Sequence, residues 1–200
     1  MAIVPFPTDV LIENVSISHD QPAFVTTALN RSSQTRPRGI HQLKGSFDMV
    51  ASGLIAQKAL EAFFVMLEGR ANEFELQLPS RFTSEFPDLG NNPTVTTSAP
   101  VGTTSFPITG IGTDTIYAGS FFNMPNPTEL GKTYVVTNTV TNGGTINFKP
   151  AIRVAENLPN FQIEMIAPKV TCRLTGDITE FQYDEQGLIT RYSLEFEEVL

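Results

Sequence analysis

The stretch IHQLKGSFDMVASGLIAQKALEAFFVMLEGRANEFELQLP, residues 40–79, reads as strand, helix, strand. In its first part Leu43, Gly45, Phe47 and Met49 alternate with polar or basic neighbours, the period-two pattern of a half-buried strand. Ser52 then offers an N-cap hydroxyl, and helical spacing begins. Leu60, Phe63, Phe64 and Leu67 fall at i, i+3, i+4 and i+7, on one helical face. Gly69 stands where a left-handed C-cap would close the helix, so a helix is predicted over about residues 53–68. Strand period resumes with Phe74, Leu76 and Leu78, and Pro79 ends it. Burial of the four helix side chains contributes about 2 kcal/mol each, which makes the helix a core element. A sheet with one covering helix is the predicted nucleus of the first domain.

Composition points the same way. Charged residues make up 17% of the 200, while Thr, Asn, Gly, Pro and Phe are plentiful, a mix that favours strands and turns. No other window sustains helical spacing, so the chain is predicted to be mainly β with one α-helix. The formal net charge of −8 argues against a nucleic-acid-binding surface, which would show a basic stripe. It suits association with basic partners but names none. The single cysteine, Cys172, rules out an internal disulfide; within the alternation Val170, Cys172, Leu174 it reads as a buried structural thiol. The opening MAIVPFPTDV lacks the basic n-region and apolar run of a signal peptide, and nothing approaches a membrane span. The expectation is a chain made in a cytoplasm that does not enter a bilayer on its own.

Upstream of the central stretch, residues 10–18 form a plausible strand with Leu11, Val15 and Ile17 as its apolar members, and residues 23–29 a second. Residues 30–39 (NRSSQTRPRG) are polar and carry Arg31, Arg36 and Arg38 around Pro37. They read as a solvated loop between two strands. A second reading is a protruding basic loop that docks on an acidic surface of a neighbouring subunit, which makes the three arginines candidate subunit- or partner-contact residues. The sequence leaves both open.

Downstream, residues 80–100 are proline-rich and aperiodic, as a linker or domain boundary would be. Short alternating runs follow at 105–108, 120–124, 132–140, 145–149 and 161–166, separated by turn residues such as Gly110, Gly112, Gly131 and Gly144. Asn142-Gly143, between KTYVVTNTVT and TINFKP, is a hairpin signal. About five short strands at this spacing fit a small closed barrel of the OB type. From Pro168 long alternation returns, first in Val170, Cys172 and Leu174, then in Ile178, Phe181 and Tyr183. After a turn at residues 184–187 it runs on through Leu188, Thr190, Tyr192, Leu194 and Phe196. These strands have only a hairpin partner in their own segment, so they complete the sheet begun before the linker. The predicted organisation is a discontinuous first domain, residues 1–83 and 167–200, with an inserted barrel at 84–166.

The search for a catalytic set returns little. His19 and His41 are the only histidines, far apart and without a partner cysteine, so no metal site is expected. Gly131-Lys132-Thr133 resembles the end of a P-loop, but Asn126 stands where the motif needs glycine and the flanks read as strand. There is no GxSxG. Asp184, Glu185, Glu195, Glu197 and Glu198 gather near the end; glycoside hydrolysis would need two of them facing one another in a cleft, and the terminal glutamates read instead as the solvated face of the last strand. Asn14-Val15-Ser16 and Asn30-Arg31-Ser32 match glycosylation sequons, which carry no weight without a secretory signal. Phe121, Phe122, Tyr134 and Phe148 invite comparison with a base-stacking platform. Lys132, Lys149 and Arg153 are too few for an electrostatic groove, however, and a barrel this small needs those rings as its core. No catalytic, cofactor-binding or metal-binding residue is assigned, and no enzymatic activity is expected.

The order of the elements resembles a known family. A sheet-and-helix unit ends in FELQLP (74–79), and a barrel opens with APVGTTSFPITGIGTDTIYAGSFFNMPN (99–126). The barrel continues through KTYVVTNTVT (132–141) and TINFKPAI (145–152), and the chain returns to a terminal hairpin ending SLEFEEVL (193–200). This layout is similar to the distal tail protein of long, non-contractile-tailed bacteriophages, in the subgroup whose ring-forming domain carries an inserted OB-like domain. The likeness spans nearly the whole chain and rests on element order. It implies a β-sandwich or sheet domain with a covering helix that packs into a hexameric ring at the distal end of the tail tube. Such a ring joins the tail tube protein to the baseplate hub or tail fibre proteins and leaves a channel through which DNA passes during ejection. The implied localisation is the virion, in the phage tail, after assembly in the host cytoplasm; no cofactor is implied. The alternative is a carbohydrate-binding module that recognises a host surface saccharide through exposed aromatics of the barrel.

Overall fold

A computed structural model describes residues 2–29, 31–84, 90–125, 131–177, 182–183 and 189–199. The chain opens with β1 (Ile3–Val4), β2 (Val10–Asp20), β3 (Ala23–Thr27) and β4 (Ser33–Pro37). Next come β5 (Gln42–Ser52), α1 (Leu54–Leu67), β6 (Glu73–Gln77) and a 3-10 turn at Ser80–Phe82. Short strands follow: β7 (Thr94–Val95), β8 (Ser105–Thr109), β9 (Thr115–Ile116), β10 (Phe121–Asn123), β11 (Thr133–Val136), β12 (Val140–Thr141), β13 (Gly144–Lys149) and β14 (Phe161–Gln162). β15 (Lys169–Leu174), β16 (Gln182–Tyr183) and β17 (Ile189–Glu198) end the described chain. The protein is mainly β, with one α-helix among the described residues and a barrel-like second sheet. Turn residues 184–187, together with Ile178, Phe181 and Leu188, lie outside the described residues.

Two compact units divide the chain: Met1–His19, Gln42–Leu76 and Val170–Leu200 form one, Asp20–His41 and Gln77–Lys169 the other. The first unit is built on a seven-stranded sheet in the order β1-β6-β15-β17-β5-β2, with β16 paired to β17. β1 runs parallel to β6, whereas β17 lies antiparallel to both β15 and β5. Period two decides which side chains go inside. On β5 the residues Leu43, Phe47, Met49 and Ala51 are buried, and on β17 Leu194 and Phe196. Gly45 interrupts the β5 series because a Cβ there would run into the Ser16 carbonyl oxygen and the Phe196 ring.

Helix α1 puts Leu60, Phe63, Phe64 and Leu67 into the core. Phe63 packs edge-on against Phe74 of β6, with ring centroids 5.7 Å apart, and Phe64 meets Tyr192 of β17 at 4.4 Å. The helix ends differ slightly from the expected ones. Gly53, with no side-chain cap bond, precedes the first turn, while Ser52 completes β5. Glu68 takes the left-handed C-cap at φ 51°, and Gly69 continues that handedness at φ 65°.

On β2 the expected phase changes midway. Asn14 adopts φ 52° and its amide donates to the Asp48 carboxylate at 2.7 Å. This left-handed residue shifts the alternation, so Ile12, Val15 and Ile17 are half-buried and Leu11 is left 66% exposed.

The second unit holds a six-stranded sheet in the order β10-β11-β13-β8-β7-β14. The sheet curls until its two edges meet: Asn123 of β10 and Glu164, just beyond β14, exchange backbone hydrogen bonds of 3.0 Å in each direction. Asn123 also fixes the chain with its side chain. Its amide donates to the carbonyls of Lys132 and Lys169 at 2.9 and 2.8 Å and accepts from the Lys169 N–H at 2.7 Å. Phe106, Phe122, Tyr134 and Phe148 fill the interior, with Phe122 stacked on Tyr134 at 5.3 Å. Asn142 and Gly143 occupy the turn with φ 59° and 81°. Beyond the short strand β12, which pairs with β9, the main partner of β13 across this connection is β11.

Candidate subunit-contact surface

The three arginines marked in the sequence all lie on one structural feature, and it is not a loop. Ser33–Pro37 forms strand β4 and pairs antiparallel with β3 in a register from Ala23↔Pro37 to Thr27↔Ser33. The turn between them is tied by the Arg31 N–H to the Ala28 carbonyl and the Ala28 N–H to the Ser32 carbonyl, each at 2.9 Å. At the base the Arg38 N–H donates to the Pro22 carbonyl at 3.1 Å. Local propensity for β3 is clear from Phe24-Val25-Thr26-Thr27. Strand β4, Ser-Gln-Thr-Arg-Pro, has no apolar alternation, and that is why the sequence reads as loop.

All ten strand residues of this hairpin are exposed on both faces. Phe24, Val25 and the turn residue Leu29 stand 57%, 65% and 108% exposed. An isolated two-stranded hairpin is marginal in water, and exposed large apolar side chains on one make it a candidate contact surface. Its two faces differ. Ala23, Val25, Thr27, Ser33, Thr35 and Pro37 share one, small and uncharged; Phe24, Thr26, Gln34 and Arg36 share the other. The guanidinium of Arg38 lies over the Phe24 ring at 4.7 Å, and Arg36 is the cross-strand partner of Phe24. Arg36 and Arg38 thus gather at one aromatic side chain, while Arg31 sits apart at the turn with φ 63°. None of the three makes an ion pair among the described residues. Phe24 and Val25 are exposed apolar side chains of this hairpin that sequence reading missed; the absence of any acidic residue from position 21 to 47 also marks the segment.

The remaining chemical candidates are dispersed. Glu198 is 1% exposed, so the reading of the terminal glutamates as a solvated face fails for it. Its carboxylate accepts the Leu43 N–H at 2.9 Å, while Glu195 is exposed and Glu197 half-buried on the opposite face of the strand. Asp184 and Glu185 lie outside the described residues. His19 is exposed at the end of β2 and His41 is buried. Among the described residues no three His, Cys, Asp or Glu side chains converge to hold a metal ion. Gly131–Thr133 leads into β11, with the buried Lys132 ammonium donating to the His41 carbonyl at 2.9 Å, a structural contact and not a phosphate cradle. Phe121, Phe122, Tyr134 and Phe148 are all inside, which leaves Tyr117 as the exposed aromatic among the described residues of the barrel. No helix among the described residues is long and apolar enough to cross a membrane. No protein-family model matches the chain, and no curated protein matches it either.

Proposed function

We propose that this chain is a structural, ring-forming component at the distal end of a long bacteriophage tail, an adaptor between tail tube and tail tip. The observation that carries the reading is the β3–β4 hairpin: ten exposed strand residues, apolar Phe24 and Val25, and three arginines on an otherwise acidic chain. Such a surface has a use in an assembly and none in an isolated monomer. Hexameric closure, attachment to tube and hub proteins, and passage of DNA through the central hole belong to the same proposal. Support for it comes from the sheet-with-helix unit, whose strands are drawn from both sides of the barrel-like unit, the element order on which the family likeness rests.

Multi-angle light scattering across a concentration series, with negative-stain images of the same sample, tests it. Closed six-fold rings are the expected result. A chain that stays monomeric at every concentration, with and without tail tube protein as template, and that binds a host envelope saccharide through its barrel would replace this reading with saccharide recognition.

A further inference from the structure

We propose that the outer face of α1 is the seat for the β3–β4 hairpin of a second copy of this chain. The inference rests on the ring reading and names the two surfaces that meet in it.

Helix α1 is apolar on both sides. Besides the core face, it presents Leu54, Ile55, Val65 and Met66 outward at 64%, 79%, 76% and 47% exposure. Ile55, Ala59, Ala62 and Met66 follow one another at i, i+4, i+7 and i+11, a continuous stripe along the helix. Lys58 and Glu61 are the only charged residues within Leu54–Leu67. A helix that is hydrophobic all round is ordinarily enclosed, and the outer side of this one is open. The two alanines lower the middle of the stripe, so a strand can approach closely there.

The hairpin has the complementary form. Its face of Ala23, Val25, Thr27, Ser33, Thr35 and Pro37 carries no charge and no long side chain. Five extended residues span about 17 Å, and the helix rise from Ile55 to Met66 covers roughly the same length. Charge points to this chain as the occupant. The hairpin holds three of the 13 basic residues and none of the 21 acidic ones, so the rest of the chain carries 10 basic against 21 acidic residues, a balance of −11. Glu61 and Glu68 lie along one border of the exposed side, with Lys58 between them and the stripe, and the two carboxylates oppose the sign carried by Arg31, Arg36 and Arg38. A hairpin of one copy on the helix of the next is a heterologous contact, which repeats head to tail and closes into a ring when the rotation allows.

The test uses two full-length variants, Val25→Cys and Ala62→Cys, each with one added cysteine beside the buried native Cys172, made separately and mixed under mild oxidation. Both positions are exposed, and far-UV circular dichroism checks that the fold is intact. The expected result is a 25–62 disulfide dimer in the mixture at least ten-fold more abundant than the 25–25 or 62–62 dimer that either variant forms alone. Ala62→Glu, in an otherwise native chain, should abolish association without unfolding the chain. Closed rings that form without the 25–62 cross-link overturn this contact and leave the ring reading standing. A 25–62 cross-link in open head-to-tail chains supports the contact and overturns the closed ring. A dominant 62–62 cross-link overturns it in favour of helix-to-helix pairing. A monomer at all concentrations with no cross-link, with and without tail tube protein as template, overturns this contact, and saccharide binding through the barrel then overturns the ring reading as well.

Discussion

Arg70 holds Asp177 through both carboxylate oxygens, Nε to Oδ1 at 2.8 Å and Nη2 to Oδ2 at 2.9 Å, across 107 residues of sequence. The pair ties the turn after α1 to the segment after β15. The bidentate geometry raises the Arg70 pKa, and hydrogen bonding from Arg70 holds the Asp177 carboxyl below its ordinary value. A carboxylate with a lowered folded pKa adds stability above its unfolded pKa, about 3.9, and loses it as pH falls through the folded value. Thermal melts of wild type and Asp177→Asn should therefore differ at pH 7 and converge in acid below about pH 4. High salt should shrink the difference, because both partners are exposed. A difference that persisted unchanged to low pH would assign the effect to something other than the ion pair.

Gly45 and Gly39 provide a matched pair of substitutions. A methyl at Gly45 collides with the Ser16 carbonyl and lies 2.9 Å from the Phe196 ring, so Gly45→Ala should cost about 3 kcal/mol by overpacking. At Gly39 nothing lies within 4 Å and only the positive φ of 74° opposes a side chain, so Gly39→Ala should cost about 1 kcal/mol. Urea denaturation of both variants checks the ratio; equal costs would disprove the close approach of β2 to β5.

Asn123 closes the barrel-like sheet. Asn123→Ala strips partners from the Lys132 and Lys169 carbonyls and from the Lys169 N–H, which should cost about 3 kcal/mol or more. Asn123→Asp should be no milder, since it sets an acceptor against two carbonyl oxygens. Amide exchange at Lys169 and Glu164 should accelerate in both variants; unchanged protection there would show that the edges are held by other contacts.

Glu198 and Cys172 are cross-strand neighbours. Burial, with a smaller contribution from the Glu198 charge, pushes the Cys172 thiol up. Native protein should leave a thiol reagent unconsumed at pH 8, and reaction should appear only with unfolding. Glu198→Ala, which orphans the Leu43 N–H, should destabilise by about 2–3 kcal/mol and make Cys172 react sooner, whereas Glu198→Gln should retain more of the stability.

Arg31, Arg36 and Arg38 make no ion pair within the described chain, so replacing all three with alanine should leave the melting temperature within about 2 °C of wild type. The same variant should associate more weakly than wild type, with less dependence on salt. Sedimentation at two ionic strengths reads both effects. Undiminished association would remove the arginines from the contact.

Local periodicity made much of the fold legible. The spacing of Leu60, Phe63, Phe64 and Leu67 identified helix α1 and its inner face, and alternation identified β5, β6 and β17. It also contained a signal that was passed over: Leu194, Phe196 and Glu198 lie at i, i+2 and i+4, so the rule that buried the first two also buried the glutamate. Helix ends slipped by a residue because the cap depends on local φ, which Glu68 adopted ahead of Gly69. Strand β4 escaped notice because a hairpin exposed on both faces leaves no burial period in its sequence.

The sequence by itself determined the helix and the long strands that bury one face, and most of the side chains they turn inward, since the periods of 3.6 and 2 are properties of the local backbone. It also determined that the barrel aromatics are core, because so few basic residues accompany them. Only the tertiary structure decided the neighbours: β17 between β15 and β5, the Glu198 carboxylate on the Leu43 N–H 155 residues away, and Asn123 against Glu164 at the barrel seam. Those pairings are set by long-range burial and by the need to satisfy each enclosed polar group, and neither leaves a period in the chain. The exposure of the arginine hairpin was decided at the same level, because whether a strand is covered depends on what the rest of the chain packs against it.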